Sequence, residues 1–406
     1  MKRLILKYIG IFFLLIASFF AFSVLACWWP DKNVKLKINH MAVTFSETEL
    51  YPQMAIDRTA CQQDNFTETL ILNQIFCIKR HKPVRSAMGV YRGHSEPWYD
   101  LPGALLKTTK YDPEVVYAPY PRYWHGNTFL FRILLSFMNY GNLQWLMFAV
   151  STLLLVCFVC CYYPRAGIWK TIAFVLSWAL VYGFMMQFSI QYFTPLAIAL
   201  TTSILIVRHE HDMPYIALLF FITACLTNYF DLFTIPMLTF GWPLIAWLSL
   251  QDDRDIQFKS TSLSILKWGT LWVTGYGLTF ISKWVLASIF LKENILKDGF
   301  GQVFYRMNGD DFSRWDAITQ NISLIPWSFV AFALLVFIIA SILHFQGHGG
   351  KKAIFFLLIA LLPYAWYFFT ANHSYLHYWF TYRLQAITLS AIFMAILSFS
   401  ADRPRR

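Results

Sequence analysis

The sequence is poor in charge. Only 14% of its 406 residues are charged, whereas 57% are hydrophobic and 19% are aromatic, and its mean hydropathy is +0.48. Soluble domains carry about 25% charged residues, so the composition argues against a soluble protein. Apolar runs of roughly 20 residues recur between clusters of Pro, Gly and charged residues, as is typical of membrane-spanning helices. We therefore predict an all-α polytopic membrane protein.

The sequence also lacks the motifs of several function classes. It contains no Gly-rich loop of the Walker type and no GxGxxG fingerprint, so ATP-driven pumping and dinucleotide redox chemistry have no visible support. No internal repeat is apparent, which weakens the case for a secondary transporter. The net charge of +11 is spread over short loops and forms no stripe, so we expect no nucleic-acid partner.

The order of apolar runs and basic loops predicts about ten transmembrane helices with both termini in the cytoplasm. Lys and Arg cluster in alternate short loops, as the positive-inside rule requires. The predicted parts are a first transmembrane helix (1–27), an extracytoplasmic loop subdomain (28–126), an interfacial helix (127–142), a bundle of about nine transmembrane helices (143–401) and a basic cytoplasmic tail (402–406). Polar residues concentrate on the outer face, so a sizeable site has to open outward.

The large first loop contains the carboxylates that are candidates for catalysis. Asp64 and Asp57 are the candidate general bases, and Glu68 follows Asp64 by one helical turn. A carboxylate near the bilayer surface can take a proton from an attacking sugar hydroxyl. The alternative for Asp64 is a helix N-cap, because an apolar run follows it. Cys61 and Cys77 lie in the same loop, where a disulfide and two thiols are both open alternatives.

Basic and aromatic residues near the outer face predict phosphate binding. Arg122 and His125 flank Tyr123 and Trp124 just before the interfacial helix. Arginine makes bidentate contacts to phosphate, histidine can donate a hydrogen bond, and an aromatic pair fixes their depth at the headgroups. The alternative is an arginine that binds lipid headgroups in general. Arg383 is the third candidate phosphate ligand.

Ionisable residues next to the predicted spans are further candidates. His373 and His377 are four residues apart, so they share one face if their segment is helical. The spacing suits a metal, but no third ligand is obvious, so contact with a phosphate or pyrophosphate and an interfacial structural role are the alternatives. Asp231 lies at a predicted membrane edge and Lys283 lies deep in a span. Such groups are functional candidates or buried partners, and these two can pair with each other.

The arrangement of these parts resembles the GT-C superfamily of polytopic membrane glycosyltransferases. The shared features are a basic start, one span, a long outer loop with acidic residues, an interfacial helix and a bundle of about nine spans. The resemblance implies a catalytic acidic residue in the first outer loop, at Asp57 or Asp64, and a sugar donor carried on a polyprenyl phosphate or diphosphate. The loop departs from many members because it has no adjacent acidic pair.

The expected activity is inverting transfer of a sugar from a polyprenyl-phosphate-linked donor to an envelope glycan or lipid acceptor. The transfer would take place at the outer face of a bacterial inner membrane, among membrane lipids. Arg122, His125 or Arg383 would neutralise the donor phosphate, and Mg²⁺ or Mn²⁺ can share that role. A transporter or flippase of lipid-linked sugars is the competing expectation, because it also needs outer aromatic and basic residues.

Overall fold

The computed structural model describes residues 2–54, 59–308, 312–345 and 349–400, with side chains from residue 5 onward. The candidate base Asp57 and the basic tail 402–406 therefore lie outside the described residues. Within the described part, the chain is all-α apart from one two-stranded sheet and two isolated bridges.

One long apolar helix precedes a segment of shorter elements. The helices of this part are α1 (Lys2–Trp28), α2 (Lys32–Ser46), α3 (Asn65–Cys77), α4 (Pro83–Gly89), α5 (Leu101–Thr109) and α6 (Gly126–Phe137), and a 3-10 helix covers Thr59–Cys61. Strands β1 (Arg92–His94) and β2 (Val116–Ala118) pair antiparallel, with Gly93 opposite Tyr117. Residues 29–139 are called the connecting segment below.

The rest of the chain is a bundle of long helices with short ones at their ends. Its helices are α7 (Tyr140–Leu180), α8 (Ile190–Arg208), α9 (Met213–Phe230), α10 (Leu238–Leu250), α11 (Phe258–Leu291), α12 (Ile295–Met307), α13 (Arg314–Ser323), α14 (Trp327–Leu343), α15 (Gly350–Ala360), α16 (Leu362–Phe369), α17 (Ala371–Leu376), α18 (Tyr378–Thr381) and α19 (Gln385–Leu397). Further 3-10 helices cover Gly183–Phe188, Asp253–Asp255 and Tyr382–Leu384.

Seven helical stretches of the described residues are long and apolar enough to cross a membrane, with α15 and α16 counted as one stretch and α18 to α19 as another, or eight if the bent pair α13 and α14 forms one span. The prediction of membrane helices is confirmed, although fewer qualify than the ten expected. One reason is that α7 joins two predicted spans in 41 residues, with a break at Gly167 (φ 79°). Another is that α10 has only 13 residues, about 20 Å of helix, against a hydrocarbon core of roughly 30 Å.

The helices alternate in direction, so their ends gather at two ends of the bundle. The connecting segment meets the starts of α7 and α8 at one end, where Glu68 accepts a hydrogen bond from the backbone N–H of Ile190 at 2.7 Å. We call this the site end. Short loops meet at the opposite end, where Lys170 Nζ donates to the carbonyl of Ser249 at 3.1 Å. The connecting segment, α12 and α17 thus share one end of the bundle.

A buried arginine joins the connecting segment to the first helix. Arg132 of α6 is fully buried and donates to the carbonyls of Ala26 (2.8 Å), Trp29 (3.0 Å) and Ile75 (3.4 Å). These carbonyls lie at the C-terminal ends of α1 and α3, where helices carry unpaired C=O groups and partial negative charge. Arg132 therefore fastens α1, α3 and α6 together.

A buried lysine fastens α4 of the connecting segment to α11. Lys283 of α11 is fully buried, and its Nζ donates to the carbonyls of Ala87 (2.9 Å) and Met88 (3.1 Å) at the C-terminal end of α4. It also lies 5.5 Å from the ring centroid of Trp124. The hypothesis that Lys283 pairs with Asp231 is therefore wrong, because helix carbonyls satisfy this ammonium group.

The two cysteines of the connecting segment are not joined. Cys77 is a thiol whose Sγ donates to Oδ1 of Asn73 at 3.3 Å, so the disulfide alternative for Cys61 and Cys77 is wrong. The same Asn73 oxygen accepts the backbone N–H of Gly93 at 2.8 Å. This polar chain holds β1 against α3 without a covalent link.

Replacing Arg132 with Met is expected to lower the free energy of unfolding by about 3 kcal/mol or more, because it leaves buried helix carbonyls without a donor. The measurement is SDS-induced unfolding in mixed micelles. Arg80→Met is the matched control, since Arg80 is exposed and its Nε donates to the carbonyl of Trp28 at the same end of α1. The control should cost no more than about 0.5 kcal/mol. Equal effects of the two variants would contradict a fastening role for Arg132.

Candidate functional site

A cavity of about 170 Å³ lies at the site end between α11, α12 and α16. Its lining comprises Arg122, Tyr123, Phe233, Phe280, Trp284, Gly299, Gln302, Val303, Arg306, Met307, Phe369 and Thr370. Most of these side chains are apolar, and the two charged ones are both arginines. Val303 and Phe369 are 41% and 58% exposed, so the cavity reaches the surface of the bundle beside these two residues.

Arg122, one of the predicted phosphate ligands, reaches this cavity. Its Nε and Nη2 donate to the two carboxylate oxygens of Asp298 in α12, at 2.8 Å and 3.2 Å. This bidentate pair is partly exposed on both sides, so water weakens it and an incoming anion can compete with Asp298 for the guanidinium. Arg122 thus also attaches α12 to the connecting segment.

Arg306 is the second arginine of the cavity, and the sequence offered no motif that pointed to it. Its guanidinium carbon lies 5.6 Å from the ring centroid of Tyr123 and 4.9 Å from that of Phe233. Its Nη1 lies 3.1 Å from Nδ1 of His373. Among the described residues, no carboxylate forms an ion pair with it. Arg306 therefore offers the cavity a positive charge without a described counter-ion.

The hydrogen bonds of His373 determine where its proton sits. Its Nε2 lies 2.8 Å from the carbonyl of Phe233, which can only accept, so Nε2 carries the proton. Its Nδ1 then accepts from Arg306, because a guanidinium can only donate. Burial, followed by Arg306 and His377, holds the pKa of His373 well below its usual value. His373 is thus neutral and orients Arg306.

Asp231 ends α9, two residues before the cavity-lining Phe233, and is almost fully buried. Both of its carboxylate oxygens lie 3.1 Å from the backbone nitrogen of Thr234, which donates to them. Burial raises the pKa of Asp231 to about 7, against the lowering effect of the N–H groups that follow it. A carboxyl group that titrates near neutral pH is well matched to accepting a proton.

Asp64 begins α3, as the N-cap interpretation of the sequence predicts. Its Oδ1 accepts the backbone N–H of Thr67 at 2.9 Å, and its Oδ2 accepts the Thr67 hydroxyl and Nε2 of Gln191, both at 2.8 Å. Burial raises the pKa of Asp64 despite these donors and the nearby Arg383. Three of its roughly four acceptor positions are therefore occupied.

Glu68 is buried one turn further along α3. Its carboxylate accepts hydrogen bonds of 2.7 Å from the Tyr140 hydroxyl, the Ser189 hydroxyl and the backbone N–H of Ile190. Burial raises the pKa of Glu68 to about 7, although these donors lower it. Because its partners lie at the starts of α7 and α8, Glu68 positions α3 on the bundle.

Two side chains connect the carboxylates of Asp64 and Asp231. Gln191 donates to Asp64 at 2.8 Å, and its Oε1 accepts the hydroxyl of Thr234 at 3.4 Å. Thr234 in turn donates its backbone N–H to Asp231. The structure thus brings these two sequence candidates into one hydrogen-bonded chain, although 167 positions separate them in the sequence.

Arg383 lies on the Asp64 side of the site and does not line the cavity. It is fully buried, and its Nη1 donates to the Tyr192 hydroxyl and the Trp379 carbonyl, both at 2.8 Å. Its Nη2 donates to the carbonyl of Ala60 at 3.2 Å. Backbone carbonyls and a phenol therefore satisfy most of this guanidinium.

The aromatic pair before α6 faces the protein interior. His125 is buried, its Nε2 donates to the carbonyl of Tyr120 at 3.0 Å, and burial lowers its pKa to about 3. A neutral His125 brings no positive charge to a phosphate. Tyr123 lines the cavity, while Trp124 is fully buried and donates to the carbonyl of Thr279 at 2.8 Å. Neither ring is a headgroup anchor.

The two predicted histidines lie together, with ring centroids 4.9 Å apart. His373 uses both ring nitrogens on Phe233 and Arg306. In the described ranges, no group of three or more His, Cys, Asp or Glu side chains is placed to hold a metal ion. His373 therefore belongs to the arginine site through its bond to Arg306, and His377 packs against it.

Replacing Glu68 with Gln is expected to change how stability depends on pH. The Glu68 pKa is about 7 in the folded chain against an ordinary 4.5, so the folded protein keeps a proton that the unfolded chain releases. The stability of the wild type therefore decreases as pH rises from about 4.5 to 7, by at most about 3 kcal/mol. The melting temperature of Glu68→Gln relative to wild type should rise over this window.

The measurement is tryptophan fluorescence during thermal unfolding in detergent, from pH 5 to pH 8. Glu114→Gln is the control, because that side chain is 75% exposed. A constant difference between Glu68→Gln and wild type across the window would mean that Glu68 is ionised in both states.

No protein-family model matches the chain, and no curated protein or solved structure matches it. What the site binds therefore has to follow from its own side chains.

Proposed function

We propose that the protein is an inverting glycosyltransferase that takes a sugar from a polyprenyl-phosphate-linked donor. The observation that carries the proposal is the cavity, which combines a mostly apolar lining with Arg122 and Arg306. An apolar cavity that reaches the surface of the bundle suits a lipid chain, and arginine suits the phosphate at its head. The acceptor is an envelope glycan or a lipid.

The proposed setting is a bacterial inner membrane, crossed about ten times, with both termini in the cytoplasm. The site end then faces the extracytoplasmic side. This orientation is supported by basic residues at the opposite end, such as Lys170, Arg208 and Lys352, which the positive-inside rule assigns to the cytoplasm. Nucleotide sugars are cytosolic, so an outward site needs a lipid-linked donor.

The proposed base is Asp231. It takes the proton of the acceptor hydroxyl while that oxygen bonds to the anomeric carbon from the face opposite the donor phosphate. The bond between the anomeric carbon and the phosphate oxygen breaks, and the lipid phosphate leaves with the electron pair, so the configuration inverts. Arg306 and Arg122 stabilise the charge that develops on the leaving phosphate. The support for this role is the raised pKa of Asp231 and its position two residues before the cavity-lining Phe233.

Asp64, the first choice from the sequence, receives a positioning role in this proposal. It caps α3 and holds Gln191, which contacts Thr234 next to the base. Asp57 lies outside the described residues and stays a sequence candidate. Arg383 is not assigned to the donor phosphate because other groups already occupy most of its donors. His125 is not assigned to it because the imidazole is neutral. The proposed phosphate ligands are therefore Arg122 and Arg306.

Arg306→Gln is expected to reduce kcat/KM about 10- to 100-fold. The reason is that the variant loses a charged hydrogen bond to the phosphate, which contributes about 1.5–3 kcal/mol. The assay follows radiolabelled sugar from a panel of polyprenyl-phosphate sugars to acceptor glycan in proteoliposomes. Arg85→Gln is the control, because Arg85 is exposed and lies in the connecting segment away from the cavity. Adding EDTA tests whether Mg²⁺ or Mn²⁺ takes part.

Two results would count against the proposal. Transfer by Arg306→Gln at the wild-type rate would mean that the cavity does not bind the donor phosphate. Movement of lipid-linked sugars between leaflets, without transfer to any acceptor by the wild type, would replace the transferase by a transporter or flippase.

The transfer rate is expected to rise with pH through about 7, because Asp231 must lose its proton before it can act as a base. The measurement is kcat/KM between pH 5 and pH 9 for wild type, Asp231→Asn and Asp64→Asn. Asp231→Asn should lose activity, and its remaining kcat/KM should no longer rise with pH through about 7. If Asp64→Asn is inactive while Asp231→Asn keeps the wild-type profile, the base is Asp64 as the sequence suggested.

A further inference from the structure

A second group of aromatic side chains lies at the site end, next to the arginine cavity but outside it. The rings of Tyr51 and Trp379 meet edge to face with centroids 5.2 Å apart. His377 lies 5.4 Å from Trp379 and 4.9 Å from His373. All three of Tyr51, Trp379 and His377 are only partly buried. We call them the aromatic platform.

The platform contains polar atoms that find no partner among the described residues. Nε1 of Trp379 is a buried donor without an acceptor, and Nδ1 of His377 is a buried ring nitrogen without a partner. Buried polar atoms that are left unpaired cost stability, and each such atom calls for an explanation. A ligand that carries both donors and acceptors would satisfy them once a neighbouring side chain moves aside to admit it.

The surroundings of the platform are also polar. The Trp379 carbonyl accepts a hydrogen bond from Arg383 at 2.8 Å, and Nε of Arg383 has no partner in the described part of the chain. Tyr51 lies next to Asp64 because the backbone N–H groups of Gln63 and Asn65 donate to the carbonyls of Pro52 and Leu50, at 2.9 Å and 3.1 Å. Burial and then the Asp64 carboxylate raise the pKa of Tyr51. The Arg383 guanidinium therefore lies next to Trp379, and the Asp64 carboxylate lies next to Tyr51.

A sugar ring is the ligand chemistry that fits these features together. One face of a pyranose presents axial C–H groups that pack on an aromatic ring, while its hydroxyl groups both donate and accept hydrogen bonds. An acyl chain would leave the buried polar atoms unpaired. A phosphate on the platform would be separated from Arg306 by His373. The imidazoles of His373 and His377 are neutral, so they would not offer it a positive charge.

We propose that Tyr51, Trp379 and His377 form the subsite that binds a sugar ring of the acceptor. This inference rests on the proposed glycosyl transfer and extends it, because it places the acceptor on the Asp64 side of Asp231 and the donor phosphate on the Arg306 side. The Gln191 and Thr234 side chains then connect the two halves of the site. Trp379 acts through its ring face and its N–H donor.

The test is saturation-transfer NMR on the donor-free protein in lipid nanodiscs, with methyl β-D-glucopyranoside as the probe. Stacking on Trp379 should give the strongest transfer at the axial protons H1, H3 and H5 of the sugar. Sorbitol is the control ligand, since it carries hydroxyl groups but no ring face. Trp379→Leu is expected to weaken probe binding roughly five- to tenfold, and Trp379→Phe, which keeps a ring but loses the N–H, should weaken it less.

Trp98→Leu is the matched control variant, because Trp98 lies in the connecting segment and is 71% exposed. It should bind the probe as the wild type does, and all variants should share the wild-type melting temperature within the error of the measurement. Absence of saturation transfer with the wild type, equal transfer to sorbitol, or unchanged binding by Trp379→Leu would each overturn the subsite. Because no donor is present, these outcomes are independent of the transfer assay.

Discussion

The structure depends on the pairing of buried side-chain charges with the ends of helices. Arg132 and Lys283 donate to carbonyls at the C-terminal ends of α1, α3 and α4. Asp64 and Glu68 accept N–H groups at the starts of α3 and α8. Each charge thus meets the helix end of opposite partial charge. Removing such groups from water is costly unless they are paired, so these contacts determine how the connecting segment sits on the bundle.

This pairing explains why Arg306 differs from the other arginines of the interior. The guanidinium groups of Arg132 and Arg383 are mostly satisfied by backbone carbonyls. Arg306 instead lies between two rings, with a neutral histidine as its hydrogen-bond partner. Its charge is held in position without being neutralised by a described carboxylate, as an anion site requires. The surrounding helices therefore determine which cation remains available to a ligand.

The sequence was informative about the helices and less so about the site. Apolar runs located the membrane helices, and the Asp64 pattern located the start of α3. The number of spans was harder to predict, because hydropathy reports composition and not the path of the backbone. The break at Gly167 and the shortness of α10 are features of that path.

The cavity itself could not be predicted, since Arg306 meets Tyr123 and His373 only through tertiary contacts. The burial of His125 and its hydrogen bond to the Tyr120 carbonyl are likewise not revealed by residue type. The opening of the cavity at the surface beside Val303 and Phe369 has a consequence for how the proposed lipid-linked donor would be supplied. The concentration of a ligand that enters from the bilayer is measured per lipid, not per volume of water. Occupancy of the cavity would then follow the mole fraction of the donor in the membrane, so adding inert lipid at a constant total amount of donor would dilute it and slow the proposed transfer.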